Sequence, residues 1–504
     1  MQSQTTGRMR VQMSRPLAQM TQAPAPDRLD EGRTLLIGGS WHEAATTYER
    51  LDPADLDRVT GTFAQASPED VAAAYEAASE AQSEWAATPS PQRAEALRRA
   101  ADLLEARAEE GARRLTSDMG KVIRDARAEV LRSVAILRYF AGELMQPIGE
   151  TYASAAPDTM LLTVEQPLGV VCVITPWNFP FAIPTWKLAP AIGFGNAVVW
   201  KPAEAASGSA VLLAETLAAA GLPDGVLNLL TGKSSRMSEA LTANPRLAGL
   251  TFTGSGPVGT ILRQAVADRN VKLQLELGGK NPAIVLADAD LEDAAVQVVR
   301  GAMLATGQRC TATSRVYVEE SVGGRFRDLL VSQIRGLVVG DPFDEGTDLG
   351  PLAMTEQRDT VAGYLEVARR EGVEVLVGGE MGDGCYVSPT LLAGVRPDSV
   401  LVREEIFGPV LAFAEVADYD AALRAANDTE FGLASALFTR DIARAMDFVR
   451  STESGVVHVN RETAGVEPHV PFGGIKASSS LNREQGKAAR TFFTTTKTVY
   501  LRST

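Results

Sequence analysis

Leu250-Thr251-Phe252-Thr253-Gly254-Ser255-Gly256-Pro257-Val258-Gly259 decides the architecture. A short run of β-formers stops at a glycine, and a helix signal follows, with Pro257 suited to a first helical turn. A strand that turns tightly into a helix is half of a βαβ unit. The same rhythm runs outward both ways. Upstream, Val170 to Ile174, Ala197 to Trp200 and Leu227 to Leu230 read as buried strands, with a helix from Ser207 to Ala220 closed by Gly221. Downstream, a second series starts at Pro282-Ala283-Ile284-Val285-Leu286. It continues through Ser314 to Val318, Val373 to Val377, Val410 to Ala414 and Gly455 to Val459. The pattern predicts an α/β fold of two doubly wound parallel sheets that meet near Gly278-Gly279.

Ahead of these series the texture is helical. Ser67-Pro68-Glu69-Asp70 is an N-cap with proline and acids in the first turn, and Ser90-Pro91 opens a second helix of the same kind. A third runs from about Ile123 to Leu144, and Thr34 to Ile37 reads as a strand before Gly38-Gly39. Two β-rich pieces stand apart, Thr159 to Gln166 and the tail Thr491 to Leu501. They pair with each other or with a neighbouring subunit, or form an ordinary edge hairpin. Residues 1–30 are expected to be a disordered leader. Arg8, Arg10 and Arg15 with no acid before Asp27 give it a superficial transit-peptide look, but no apolar core follows.

The totals exclude several classes. With 49 basic and 63 acidic residues the net charge is −14, which argues against nucleic acid or an anionic membrane as partner. Cys172, Cys310 and Cys385 make neither a disulfide framework nor a metal-ligand spacing, and three histidines (His42, His458, His469) do not point to a metal site. A reducing compartment fits, and the location expected is the cytoplasm.

Chemistry concentrates at strand ends, where ligands sit in such sheets. Thr175-Pro176-Trp177-Asn178-Phe179-Pro180 is a rigid turn; Asn178 either donates to a developing oxyanion or merely caps the turn. Lys201-Pro202-Ala203-Glu204 could grip the hydroxyls of a ribose, or could be a solvated ion pair. Gly254, Gly256 and Gly259 spell G-x-G-x-x-G, and Glu276 lies 276 − 254 = 22 residues on. Yet Leu273-Gln274-Leu275-Glu276-Leu277-Gly278-Gly279 alternates, which makes Glu276 a strand-end carboxylate. The glycines are therefore read as a phosphate approach to a helix N-terminus, and Glu276 as a base for water or a buried structural carboxylate. Gly307-Gln308-Arg309-Cys310-Thr311-Ala312 sets one cysteine in a polar, glycine-flanked segment; alone, such a cysteine is more often a small buried hydrophobe.

Together with Glu404-Glu405-Ile406-Phe407-Gly408-Pro409-Val410 and Pro471-Phe472-Gly473-Gly474, these segments resemble the NAD(P)-dependent aldehyde dehydrogenase superfamily from about Arg33 to the C-terminus. The motifs keep the family's order, and the gap 310 − 276 = 34 keeps its spacing. The resemblance implies a catalytic set of Cys310, Glu276, Asn178 and Lys201. Cys310 would be the nucleophile, Asn178 the oxyanion donor and Glu276 the base that activates hydrolytic water. It implies cofactor contacts from Thr175, Pro176, Trp177, Lys201, Pro202, Ala203, Glu204, Phe252, Gly254, Ser255, Leu277, Gly278, Glu405 and Phe407. NAD is the cofactor expected, because a carboxylate at Glu204 repels a 2′-phosphate, with NADP left open by Pro202 and Ala203. The implied domains are a cofactor-binding one (31–143 and 168–278), a catalytic one (279–478) and oligomerisation strands (144–167 and 490–504) serving a homodimer or homotetramer.

Within that superfamily the stretches Thr463 to Gly474, Lys476 to Ser479, Gly307 to Arg315 and Arg483 to Lys487 look like the α-ketoglutaric semialdehyde dehydrogenase group. A semialdehyde acid needs a cation, and Arg309 and Arg461 are candidates beside Phe179, Trp186, Thr311 and Phe472. The chain departs from the group at Arg461, where an apolar residue is expected, and at Glu467-Pro468, where an acid and an aromatic are. Alternatives are a broad aliphatic or aromatic aldehyde dehydrogenase, a succinic semialdehyde dehydrogenase, an acylating variant that uses coenzyme A, and a non-catalytic structural homologue.

Overall fold

The computed structural model describes residues 34–503; the leader expected at 1–30 lies outside them. The chain divides into two compact units. Of the described residues, one holds 34–119, 124–278 and 466–503; the other holds Gly120–Ile123 and Gly279–Gly465.

The first unit is built on a seven-stranded sheet. Its order is Lys272–Glu276, Leu247–Thr253, Val170–Thr175, Ala197–Pro202, Leu227–Leu229, Leu35–Ile37, Ser40–His42. The first five strands run parallel, and the last two are an antiparallel hairpin on the edge. Val170-Val171-Cys172-Val173 and Ala197-Val198-Val199-Trp200 are buried without alternation, because helices cover both faces of a parallel sheet. The chain enters at Val170–Thr175, winds one way to Leu227–Leu229, then returns to the other side. The strand order therefore switches between Val170–Thr175 and Leu247–Thr253. Among the covering helices, Pro68–Ala87 starts with a complete capping box: Ser67 accepts from the Asp70 amide, and Asp70 accepts from that of Ser67. Ser90 does not cap its helix; Pro89 occupies the cap position and Ser90 is the first helical residue.

The tail differs from its expected form. Thr491-Phe492-Phe493 closes a helix, Gly486–Phe493, that buries both phenylalanines; the strand starts only at Thr494. From there Thr494–Arg502 pairs antiparallel with Thr159–Pro167 along its whole length. Residues 466–478, grouped by sequence with 279–465, fall in the first unit. The reason is local: the segment 472–484 folds along the edge strand Lys272–Glu276. Leu277 N–H donates to Ser478 O (2.7 Å), Ser480 N–H to Leu275 O (2.9 Å), and Asn482 Nδ2 to Leu273 O (2.9 Å). An otherwise open edge is thereby satisfied.

The second unit has its own seven-stranded sheet, ordered Glu374–Val377, Thr390–Ala393, Val410–Val416, Thr313–Glu319, Asn281–Val285, Ala434–Phe438, Val456–Val459. All are parallel except the first. Ile284, Leu286, Tyr419, Ala422, Ala426, Leu437 and Phe448 pack one face. No helix among the described residues is long and apolar enough to cross a membrane.

Candidate active site

In the first unit, register alone lines up Thr175, Lys201, Pro202, Phe252 and Glu276 among the expected residues. Ile174 pairs with Lys201 and Phe252, Thr175 with Pro202, and Thr253 with Glu276. These form one row on the carboxyl edge of the parallel strands, across the point where strand order switches, which is where open α/β sheets take ligands. Trp200 Nε1 donates to Thr175 Oγ1 (2.9 Å) and Ala203 N–H to Thr175 O (2.8 Å), so the Thr175–Asn178 turn and the Pro202–Glu204 turn are tied together. Lys201 is buried and donates to Ser234 Oγ (2.6 Å). Burial pulls its ammonium down to about 8, with Glu204 opposing. It is no solvated surface lysine.

The glycine motif separates into distinct jobs. A Cβ at Gly254 would run into the Phe252 ring, and one at Gly259 would meet Leu277 at 2.6 Å. Those two glycines let Phe252 and Leu277 close in. Gly256 alone faces open space, with nothing within 4 Å of a would-be Cβ. It begins the helix Gly256–Ala265, whose cap residue Ser255 makes no side-chain capping bond. The helix start is thus able to receive a phosphate. At the same edge Thr253 Oγ1 is buried without a hydrogen-bond partner. A dinucleotide fits the residues present: Lys201 and Glu204 for a ribose, Ser255 and Gly256 for the diphosphate, Trp177 and Pro176 along the turn.

Glu276 ends the row and is almost fully buried. Its Oε2 accepts from Ser479 Oγ (2.6 Å), and its Oε1 has no hydrogen-bond partner. Gly473 leaves room for it: a Cβ there would sit 2.8 Å from Oε1. Burial, and then the charge of Glu484, push the Glu276 carboxyl well above the usual range; Ser479, Lys187 and Arg483 oppose. Lys187, from the helix Ala182–Gly193, bonds Glu484 and also donates to Thr251 Oγ1 (2.7 Å), which donates to Gln274 Oε1 (2.8 Å). Lys187 therefore bonds one of the two carboxylates, Glu484, and acts on Glu276 through its charge alone. The sequence places Ser479 and Glu484 in stretches that carry the family resemblance but gives them no site role, and Lys187 carries no local motif at all. Asn178 is buried on the same turn as Trp177 and Phe179. Trp186 and Phe472 pack with ring centroids 5.9 Å apart.

In the second unit Cys310 lies at the amino edge of the sheet, ahead of Thr313–Glu319, not at a strand's carboxyl end. It is partly exposed, whereas Cys172 and Cys385 are buried; all three are free thiols. The turn before it is strained. Ala305, Thr306 and Gly307 all have left-handed backbones, with φ of 54°, 55° and 68°. Such conformations cost roughly 1–2 kcal/mol per non-glycine residue and persist only where the surroundings enforce them. Here Thr306 Oγ1 donates to Gly350 O (3.0 Å), and Ala353 N–H donates to Gln308 Oε1 (3.0 Å). Asn281, absent from the sequence reading, holds the other side: its Nδ2 donates to Cys310 O (2.8 Å) and Ala312 O (2.9 Å).

Around this loop stand the remaining candidates. Glu405 Oε1 accepts from Gly279 N–H (3.0 Å). Burial pushes Glu405 up to about 7, with Gly279 and Lys280 opposing; burial, and then Arg315, pull Lys280 down to about 7. Phe407 has a left-handed backbone (φ 56°), and its carbonyl accepts from Gln357 Nε2 (2.9 Å). Thr311 O accepts from Thr463 Oγ1 (2.6 Å), and Arg309 faces Glu462 at 3.9 Å, while Arg461 is exposed.

A family model described as the aldehyde dehydrogenase family matches residues 41–499. The chain is 42% identical to an alpha-ketoglutaric semialdehyde dehydrogenase of Bacillus subtilis, over 92% of this chain and 97% of the relative. It is similar in structure to an NAD-dependent aldehyde dehydrogenase from Sinorhizobium meliloti, with TM-score 0.91, 35% identity and 95% of each chain covered. It is also similar to a betaine aldehyde dehydrogenase from Staphylococcus aureus in complex with NAD+, with TM-score 0.90, 31% identity, and 93% and 95% covered.

Proposed function

The chain belongs to the aldehyde dehydrogenase family, and within it we propose that it oxidises a semialdehyde acid, α-ketoglutaric semialdehyde, to the dicarboxylic acid, with NAD as the preferred cofactor. The observation that carries this reading is a partly exposed cysteine held out by a strained turn, with an arginine as its immediate neighbour.

The roles follow from the chemistry of each group. The Cys310 thiolate adds to the aldehyde carbon, forming a C–S bond and an oxyanion, to which Asn178 and the Cys310 N–H donate. The oxyanion collapses to a thioester as the C–H electron pair leaves. When bound, the nicotinamide dinucleotide supplies the acceptor for that hydride. Glu276, ionised, takes a proton from water as its oxygen attacks the thioester, and the Cys310 thiolate departs. Lys201 and Glu204 would hold the adenosine ribose, Ser255 and Gly256 the diphosphate, and Glu405 with Phe407 the second ribose. Glu204 disfavours a 2′-phosphate by charge. Arg309 and Arg461 favour an acid-bearing aldehyde over a neutral one.

A base such as Glu276 suits water as acyl acceptor, not coenzyme A. The pairing of Thr159–Pro167 with Thr494–Arg502 builds a sheet that supports assembly as a homodimer or homotetramer, and three free thiols support a cytoplasmic location. Reduced-nicotinamide absorbance tests the proposal, using an aldehyde panel with NAD or NADP, with and without coenzyme A. The highest kcat/KM is expected for α-ketoglutaric semialdehyde with NAD and no coenzyme A. Turnover of neutral aldehydes alone would refute the substrate assignment, and no turnover of any aldehyde would refute the activity.

A further inference from the structure

Asn281 opens the strand Asn281–Val285 and is buried. Its side chain bonds three backbone groups drawn from two separate stretches. Nδ2 donates to Cys310 O (2.8 Å) and Ala312 O (2.9 Å), and Oδ1 accepts from Ala434 N–H (2.9 Å). Two acceptors face the NH₂ group and one donor faces the oxygen, so the amide has a single orientation that satisfies all three. Room is kept for it: a Cβ at Gly279 would lie 2.8 Å from Cys310 O and 2.9 Å from Asn281 Oδ1.

The two carbonyls that Asn281 grips belong to the turn that carries the cysteine. Ala312 N–H donates to Arg309 O (3.0 Å), which puts Cys310 and Thr311 at the corners of a turn. Thr311 O accepts from Thr463 Oγ1 (2.6 Å); Thr463 spends its proton there, so Thr313 donates the 2.8 Å bond between the two hydroxyls. Every carbonyl from Arg309 to Ala312 is therefore held. A trans peptide is planar, with its C=O and N–H pointing opposite ways, so holding a carbonyl also aims the N–H of the same plane. Asn281 holds the plane immediately after Cys310 and the plane that leads into Thr313–Glu319. The entry to this loop is the strained turn at Ala305, Thr306 and Gly307, so its exit has to be tied down as well.

We infer that Asn281 is a positioning residue for the reaction. It does not touch the aldehyde. It fixes the backbone on the far side of Cys310, so that the thiolate and the Cys310 N–H meet the aldehyde carbon and oxygen in one geometry. This rests on the reading of Cys310 as nucleophile given above.

The test is the stopped-flow burst of reduced cofactor, with NAD and the aldehyde of highest wild-type kcat/KM. Asn281→Asp has the same shape and keeps the acceptor for Ala434, but turns an oxygen towards two carbonyl oxygens. Its burst rate is expected to fall about 10²-fold, the cost of a misplacement of about 1 Å, while NAD affinity is kept. Asn281→Ser, which shortens the side chain without adding charge, should slow the burst by about tenfold or more for the same reason. Ser435→Ala is the structural control. It removes the buried Ser435–Thr452 bond (3.0 Å) one residue from Ala434, and should lower Tm while keeping the burst. Iodoacetamide labelling of the buried Cys172 and Cys385 reports any variant that fails to fold, and Asn281→Ser decides if Asn281→Asp is such a one. A folded Asn281→Ser protein with a wild-type burst, or an equal slowing in Ser435→Ala, would overturn the inference. A Cys310→Ala enzyme that keeps a burst removes the nucleophile reading itself, and this inference with it.

Discussion

Lys187 gives its buried ammonium to Glu484, and Glu276, in the same buried patch, is left with the hydroxyl of Ser479. The sharing is uneven, and it sets the protonation of the proposed base. Burial and the Glu484 charge both favour the protonated form of Glu276.

Glu484→Gln removes the like charge and frees the Lys187 charge to favour an ionised Glu276. The base then ionises at lower pH. Because hydrolysis of the thioester needs the ionised form, the rising limb of the deacylation pH profile is expected to move to lower pH. Single-turnover kinetics across pH measure it, and a limb that stays or moves up would contradict the arrangement. Linkage gives the matching sign for folding. A carboxyl raised in the folded state favours folding below its unfolded value, and that advantage is lost as pH rises through the folded value. Glu276→Gln should therefore lessen the loss of stability on the alkaline side, read as Tm against pH.

Cys310→Ala should abolish turnover with every aldehyde. Glu276→Gln should still give one rapid burst of reduced cofactor, followed by deacylation slowed by about 10²–10⁴-fold, the usual worth of a positioned base. Stopped-flow absorbance separates the two phases; loss of the burst as well would remove Glu276 from the hydrolytic step.

Both doubly wound sheets were legible because buried parallel strands are short apolar runs between glycine and proline punctuation. Thr390–Ala393 and Ala434–Phe438 escaped, since runs of four or five mostly apolar residues are too short for periodicity to separate a buried strand from a piece of helix or loop. The hairpin Thr47–Asp52 with Asp55–Ala64 escaped as well: it is rich in charge and broken by register shifts. Of the site, Cys310, Glu276 and Lys201 stood out because each ends or interrupts a pattern. Lys187, Glu484 and Asn281 did not. A lysine inside an apolar helix has no local reason to matter until a carboxylate almost 300 positions away is packed against it.

Glu204 lies two residues past the end of the strand Ala197–Pro202 that carries Lys201. Glu204→Ala is expected to raise the ratio of kcat/KM for NADP over NAD about tenfold, since about 1.4 kcal/mol of relieved repulsion corresponds to that factor. Steady-state kinetics with both cofactors check it. An unchanged ratio would mean that the carboxylate does not face the 2′ position.

Glu405 and Lys280 both titrate near neutrality, Glu405 pushed up and Lys280 pulled down to about 7. A carboxylate accepts from two ribose hydroxyls only when ionised, so NAD affinity should strengthen as pH rises through about 7. Lys280→Met removes a charge that favours the Glu405 anion, so the same rise should occur at higher pH. NAD titration by protein fluorescence across pH shows whether the curve moves this way; a shift to lower pH would exclude the pairing.

Gly307 and Gly256 are opposite kinds of glycine, and alanine at each should separate loop strain from cofactor approach. Gly307 has φ 68°, and a Cβ there would strike the Gly408 carbonyl oxygen. Gly307→Ala therefore adds roughly 1–2 kcal/mol of left-handed strain on top of a backbone collision in the turn that presents Cys310. A lowered Tm and lost turnover are expected, with NAD affinity kept. Gly256 opens a helix in unstrained backbone with empty space beside it, so Gly256→Ala should hold or slightly raise stability, by about 0.5–1 kcal/mol. If a diphosphate approaches that helix start, the added methyl group must weaken NAD binding all the same. Thermal melts and NAD titrations on the two variants give four numbers. A Gly256→Ala protein that melts and binds NAD like the wild type would show that the phosphate lies elsewhere.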